Sequence, residues 1–560
     1  MALLGQWTGA TVAILPSTSW VAPSNLFPTE ARNDSSTYSF SASTSTLTLP
    51  SSGLADGYMV VGAFEFEDTS NGRLNPQGRF IQASGTGNFI SGVVGGYNRD
   101  TSEDRSYVRT YAFIDSPSAA ATLQFQWRRD TDAGTGGTVR SEFQVIPFYY
   151  SNIGIYSSSS NATNGGTTPN QVVGWSAVHE SDAAAIELAS NIVTTKDDKR
   201  YLTLGSQFYE GGGNRTQRWY GLSVGGVDLD QAKSYAYYRN SSNGQNGGQY
   251  TWIVDGATTI ESYCFRGYGV ASGQGGADID GFTFTAGAHS LVVLELNDRA
   301  ELFESTGSTS QNFAVTGATD VQATKAADLD IIDSSSFTRA SDIAVNVEQT
   351  SDILLGANIS VASENIGPLN TARWTAYAEM TINGVEDPLS FHGNYLRNSQ
   401  GARDTYGYSA NLLGFQGVTA NDDVGISVTE LAGSEGGGDE VFSQVGWVGF
   451  WGVNLDTLEA LTGASITANT TEQGDAVVAS ASVVINIISS LVEAGDTTAA
   501  TIQLPISINA NIIEQGDTTA AAIIIPVRVS AHNSEAGDTT AAIIQLPVRI
   551  AASLNEQGDT

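Results

Sequence analysis

The marker Glu-[Gln/Ala]-Gly-Asp begins at Glu472, Glu493, Glu514, Glu535 and Glu556, so every interval is 21 residues. A fixed period this short means one supersecondary unit used repeatedly. In the copy that starts at Glu514, Gly516 and Asp517 suit a tight turn, the first through positive φ and the second through side-chain-to-backbone bonding. Ile523, Ile525, Val527, Val529 and Ala531 then alternate at period two, as a strand with one apolar face does. Pro505, Pro526 and Pro547 recur at one place in three copies. Each removes a ladder donor and marks a kink, a bulge or a break between two shorter strands. Burying about six apolar side chains cannot offset the entropy of ordering one such unit. The unit must therefore stack on its neighbours or on the same unit of other chains. Thr560 falls just inside the fifth copy, and further repeats are expected beyond it.

Composition narrows what precedes the repeats. The chain has 560 residues, 61 of them glycine, with 21 Tyr, 21 Phe and 9 Trp and only 15% charged residues. Ser/Thr/Asn/Gly clusters between short apolar runs point to an all-β chain. The balance of 25 basic against 59 acidic residues gives a net charge of −34 and argues against binding a phosphate backbone. Cys264 stands alone, so no intrachain disulfide can form. The first residues, MALLGQWTGATVAILPSTSW, lack a basic n-region and a long apolar core, and no run is long enough for a membrane span.

Three segments before the repeats share one pattern, Tyr-x-Arg-[Asp/Asn]-[Ser/Thr], at Tyr97 and Arg99, Tyr237 and Arg239, and Tyr395 and Arg397. A glycine inside an apolar run precedes each arginine: Gly62, Gly205 and Gly356. A tyrosine opens a strand-like run after each: Tyr111, Tyr250 and Tyr408. Each segment closes on an apolar stretch, EFQVIPFYY, HSLVVLELN and VGWVGFWGV. About eight short strands per segment fit a β-sandwich of jelly-roll type. The expected organisation is an anchor segment at 1–30, sandwiches at 31–155, 171–303 and 345–463, and a repeat shaft over 465–560. Ser/Thr-rich stretches at 157–170 and 305–350 read as boundaries. Short helices are expected at 181–190 and 456–463.

Tandem jelly rolls of the tumour-necrosis-factor/complement type followed by a β-repeat shaft resemble a bacteriophage tail fibre or head fibre. That resemblance implies a non-enzymatic virion protein on the particle's exterior, assembled in the host cytoplasm and attaching the particle to the host surface. It also implies a homotrimer, other virion proteins at the N-terminus and host surface glycans as partners, with neither nucleic acid nor membrane insertion. The alternatives are a cell-surface glycan-binding adhesin and a capsid decoration protein without receptor binding.

The site expectations follow from residue chemistry. Tyr97, Arg99, Tyr237, Arg239, Tyr395 and Arg397 would bind sugars through stacking rings and guanidinium donors, or else form a repeated structural element. Glu493 with Asp496, Glu514 with Asp517, and Glu535 with Asp538 would ring a cation such as calcium where chains meet, or else cap solvated turns. No other cofactor is implied. Trp7, Ile14, Leu15 and Trp20 lie in a stretch without charge and are expected to dock on the virion, or else to join the first sandwich's own core. The Gly-x-Ser-x-Gly run around Ser223 has no helix after it and is not read as a nucleophile elbow.

Overall fold

The computed structural model describes residues 4–459 apart from 159–169, 267–288, 364–372, 398–405, 432–439 and several shorter stretches. Of 466–556 it describes the strands as backbone. The chain divides into two compact units, Met1–Asp456 and Thr457–Thr560.

The first unit is three sandwiches built on one plan. In the second sandwich, one sheet runs β17 (Trp175–Glu180), β15 (Ile153–Ser158), β25 (His289–Leu296), β20 (Arg200–Gly211), β23 (Gly244–Asp255). The facing sheet runs β18 (Ile186–Ala189), β19 (Ile192–Thr195), β24 (Thr259–Arg266), β21 (Thr216–Val224), β22 (Val227–Tyr238), with β16 (Asn170–Gln171) against β24. Adding eleven to every strand number reproduces the third sandwich. Its sheets are β28 (Asp328–Ile331), β26 (Leu302–Val315), β36 (Glu440–Asn454), β31 (Ser351–Ser363), β34 (Tyr406–Val418), and β29 (Phe337–Ser341), β30 (Ala344–Val347), β35 (Asp422–Leu431), β32 (Arg373–Ile382), β33 (Val385–Arg397), with β27 (Val321–Gln322) against β35.

The first sandwich keeps that order with additions. One sheet runs β3 (Thr29–Asn33), β1 (Gly5–Gly9), β14 (Gly136–Phe148), β6 (Gly57–Asp68), β12 (Arg105–Asp115), β9 (Asn88–Ser91), with β2 (Val12–Ile14) also on β14. The other runs β10 (Val94–Gly95), β8 (Pro76–Ser84), β13 (Thr122–Arg129), β5 (Thr46–Thr48), β4 (Ser39–Ser41). A small ladder joins β7 (Arg73–Leu74) to β11 (Asn98–Arg99). The all-β, jelly-roll-like class expected from the sequence is what the strands form.

The recurrent glycines have a packing reason. They sit on β6, β20 and β31, where a Cβ would collide with an aromatic ring: Phe125 and Phe80 at Gly62, Tyr250 at Gly205, Trp451 at Gly356. Strand-interior glycine marks a close approach of this kind. Hairpin tips are equally specific. β21 turns into β22 through Gly225 and Gly226, both at positive φ, and β32 into β33 through Asn383 and Gly384, also both positive. Two consecutive positive-φ residues make the turn whose twist matches a two-residue hairpin. Ser223 therefore lies on a strand leading into a hairpin, not at an elbow before a helix.

Several boundaries differ from expectation. β15 and β26 lie in or beside the polar stretches read as linkers, yet each pairs along the closing strand of its sandwich, β25 and β36. A Ser/Thr-rich strand is compatible with pairing because the backbone, not side-chain hydrophobicity, makes the ladder. The expected helix at 181–190 is a turn capped by Asp182, whose Oδ1 accepts from Ala184 N at 2.8 Å, followed by strand β18. Positive φ at Ser190 and Asn191 then closes the β18–β19 hairpin. The second expected helix exists as α1 (Leu455–Glu459).

The three sandwiches form a closed ring within the one chain. Strands β9, β10 and β12 of the first face β15, β17, β20, β23 and β25 of the second. Strands β22 and β23 of the second pack on β31, β34 and β36 of the third. Strands β33 and β34 of the third return to β12 and β14 of the first.

In the second unit, β37 (Ile466–Glu472), β39 (Ile487–Glu493), β41 (Ile508–Glu514), β43 (Val529–Glu535) and β45 (Ile550–Glu556) make one parallel sheet. β38 (Val477–Ser482), β40 (Thr498–Gln503), β42 (Thr519–Ile524) and β44 (Thr540–Gln545) make another. From β37 to β43 each strand residue pairs with the residue 21 positions on, as in Ile487 with Ile508. Ile523 and Val529 of the alternating run lie in different sheets, on β42 and β43, and 525–528 lie outside the described residues. Each unit stacks on its neighbour in the same chain.

Two measurements check this account. Gly356→Ala should destabilise the first unit by about 1–3 kcal/mol in denaturant titration, because its Cβ meets the Trp451 indole. Gly226→Ala, with open space around it but φ of +79°, should cost only about 1 kcal/mol. Deleting one whole period, residues 494–514, should keep far-UV strand content per residue unchanged, whereas deleting ten residues should lower it by breaking register.

Candidate functional site

The strands at the ring's junctions alternate at period two, but both of their faces are covered. On β12, Val108, Ala112 and Ile114 enter the first sandwich's core, while Tyr107, Arg109 and Tyr111 point the other way and are equally buried. On β14, Phe143 and Val145 face that core and Glu142 and Gln144 face the third sandwich. On β31, Leu355, Ala357 and Ile359 face the core, with Asn358 opposite. A polar group in such a place must find a partner, and these do.

Between the first and third sandwiches, Arg109 donates from Nε to the Phe391 carbonyl at 3.0 Å and from Nη1 to the Leu413 carbonyl at 2.6 Å. Its Nη2 donates to Glu142 Oε2 at 2.9 Å. The other Glu142 oxygen accepts from Gln6 at 2.9 Å and Gln144 at 2.7 Å. Gln144 then pairs with the backbone of Phe415, donating to its carbonyl at 3.1 Å and accepting from its amide at 2.9 Å. Nearby, Arg140 bridges Glu65 and Glu379 and stacks 4.2 Å from the Phe391 ring centroid. Arg32 grips Asp352 with both terminal nitrogens, at 2.6 and 2.8 Å.

The second junction uses the same device with a different residue. Asn358 donates to the Thr251 carbonyl at 2.5 Å and accepts from its amide at 3.3 Å. Asn411 donates to Asn358 at 2.8 Å and accepts from Ser234 at 2.7 Å, while Trp451 Nε1 donates to Thr251 Oγ1 at 3.2 Å. At the remaining junction, the Tyr111 hydroxyl and Ser290 Oγ share a 2.9 Å bond, and Ser290 meets Ser206 at 2.7 Å. His289 and His392 are fully enclosed. Burial lowers each to about 3, with the Arg109 charge adding to the effect at His392, so both are neutral acceptors, from Phe208 N and Asn411 N.

The residues singled out by sequence fall in several places. Tyr97 and Arg239 lie outside the described residues, as do Leu15, Asp496, Asp517 and Asp538. Tyr237 on β22 and Tyr395 on β33 occupy matching positions, paired with Gln217 and Thr375 one residue or two into β21 and β32; Arg397 pairs with Arg373. Arg99 is in the small β7–β11 ladder. Glu493, Glu514 and Glu535 end their strands in one in-register row with Glu472 and Glu556. Adjacent rungs lie about 4.8 Å apart. Among the described residues no group of three or more His, Cys, Asp or Glu is placed to hold a metal.

The anchor expectation needs correcting. Trp7 is 3% exposed and belongs to the first sandwich's own core, stacked 4.8 Å from Phe40. Strand β1 pairs with β14 and β3, which holds Trp7 there. Ile14 is on β2, paired with Gly136. Trp20 is half-buried against the outer sheet of the same sandwich, with Arg79 and Arg128 over its ring. What sequence reasoning missed entirely is the junction set, Arg109, Glu142, Gln144, Asn358 and Asn411. Their polarity on alternating strands reads as a solvated face.

Glu142 and Glu379 carry a testable pH dependence. Burial pushes Glu142 up from 4.5 to about 7 against the opposing pull of Arg109, and burial pushes Glu379 to about 8 against Arg140, helped by Glu386. A carboxyl whose folded pKa exceeds its unfolded one binds its proton more tightly when folded. Its stabilisation is full below about 4.5 and is lost as pH rises through about 7 to 8. The melting temperature should therefore fall between pH 5 and pH 8. In the Glu142→Gln/Glu379→Gln double variant that slope should be visibly shallower, whatever the variant's absolute stability.

No known protein family matches the sequence, and no curated protein matches it. Among solved structures, the crystal structure of murine APRIL at pH 8.0 aligns with 26% of this chain and 98% of its own at 11% identity and a TM-score of 0.19. Those at pH 5.0 and pH 8.5 give 10% and 12% identity with the same coverage of this chain and the same TM-score. Values this low carry no argument about relationship, and the jelly-roll description rests on the strand pairing alone.

Proposed function

We propose that the chain is a non-enzymatic structural protein of a virus particle, a tail or head fibre or a head-attached appendage that contacts the host surface. The observation that carries this reading is the closed ring of three jelly rolls made by one chain, with its buried charges committed to holding the sandwiches together. Such a ring is a rigid platform whose outer sheets and hairpin tips are available to partners. The in-register repeat strands suit an element that lengthens by adding identical periods. An acidic surface keeps such an assembly soluble and screened at high ionic strength.

The glycan-binding adhesin is the second reading, and it shares the platform but not the particle. Gold-labelled antibody to residues 1–456 should decorate the exterior of particles from a producing host; label confined to the cell envelope would favour the adhesin. Ring closure and coil stacking both lie within the chain, so light scattering should give one copy, 58.7 kDa. Three copies per particle in solution would mean that the repeats need partner chains, as the fibre resemblance implies. Truncation after Glu459, the end of α1, should leave the melting transition of the first unit in place, because its core is its own.

A further inference from the structure

The outer sheet of the first sandwich carries an aromatic ring with two guanidinium groups stacked on it. Arg79 Cζ lies 4.3 Å and Arg128 Cζ 4.5 Å from the Trp20 ring centroid. Register explains the cluster. Arg79 on β8 is opposite Gln126 on β13, and Gln77 is opposite Arg128, so period two places these four side chains on one face. A backbone bridge between Val21 and Trp127, with bonds of 3.1 and 2.9 Å, brings Trp20 to that face.

The two arginines are oriented by neutral acceptors. Gln126 Oε1 accepts from Arg79 Nε at 3.2 Å and Nη2 at 2.9 Å, and Gln77 Oε1 accepts from Arg128 Nε at 2.7 Å. Elsewhere in this unit guanidinium groups are held by carboxylates, as Arg32 is by Asp352, Arg105 by Glu65 and Arg109 by Glu142. Among the described residues Arg79 has no carboxylate at ion-pair distance. Burial first, and the Arg128 charge second, lower its pKa. In a chain with 59 acidic residues, an amide that aims a guanidinium without neutralising it leaves positive charge for a ligand. An indole beside it offers the apolar contact that a sugar ring takes.

We propose that Trp20, Arg79 and Arg128 form a binding site for an acidic saccharide, its carboxylate on the Arg79 fork and its ring against the indole. The site deepens the attachment reading and takes its biological role from it. A long polyanion is disfavoured by the chain's charge of −34, whereas one carboxylate on a sugar meets the Arg79 guanidinium.

The test is calorimetric titration of the full chain with an aldobiouronic acid, a disaccharide carrying one carboxylate, with its carboxyl-reduced, neutral counterpart, and with inorganic sulfate. The acidic oligosaccharide should bind at least about tenfold more tightly than either of the others. Arg79→Gln should lose about tenfold or more of that affinity with an unchanged melting curve, and Trp20→Leu should weaken it while keeping the acidic preference. Equal binding of acidic and neutral sugars, or an Arg79→Gln variant that binds normally, overturns the site. Sulfate binding as well as the saccharide overturns the sugar part and leaves a bare anion site. Adhesion of labelled chain to host cells is a separate readout. If the saccharide binds but the chain does not adhere, the attachment reading fails while the site stands.

Discussion

Everything in the first unit depends on burying a second, polar face of three sheets. A sandwich of this kind normally hides one face of each sheet and wets the other. Here Glu142, Gln144, Asn358, Asn411, Ser206 and Ser290 lie on faces turned away from their own cores, yet all are at most 1% exposed. Leaving any such group unpaired would cost about 1–3 kcal/mol. The pairing is therefore specific: Gln144 and Asn358 each present a primary amide to a backbone carbonyl and amide across the junction. A side-chain amide used in this way imitates a β-bridge and fixes the register of one sandwich against the next.

The second unit relies on a different constraint. Its strands pair in register at the 21-residue interval, so a residue type that recurs at one repeat position recurs along one row of the sheet. Ile487, Ile508, Val529 and Ile550 share one such row. Glu472, Glu493, Glu514, Glu535 and Glu556 share another, at the ends of their strands. Like charges on one row repel, and salt should ease that repulsion.

Much of this was legible, and for physical reasons. The 21-residue period, the strand character of each apolar run and the class of the fold come from local periodicity, which survives without tertiary information. Gly62, Gly205 and Gly356 could be picked out because each interrupts an apolar run before a recurring arginine, while the ring packed against each is visible only in the fold. Strand β26 reads as a linker, since low hydrophobicity resembles a loop when the ladder partner is not visible, and β15 straddles the expected end of the first sandwich at 155 although it pairs in the second. Trp7 could be placed in a core or on a partner with equal force until the β1–β14 register was known. The junction residues were beyond reach. Arg109 is charged, and only the carbonyls of Phe391 and Leu413, some 280 to 300 residues away, make its burial sensible.

Fusing the ring into one chain changes what a single substitution does. In an assembly of three identical subunits, a change at the interface strikes every junction at once, and any coupling multiplies it. Here the three junctions have separate chemistries: hydroxyls at the first, amides at the second, a charged cluster at the third. Each can drift, tighten or acquire a ligand while the other two keep the ring shut. The Trp20 cluster has room to exist on one sandwich alone, because its two siblings are free to be different.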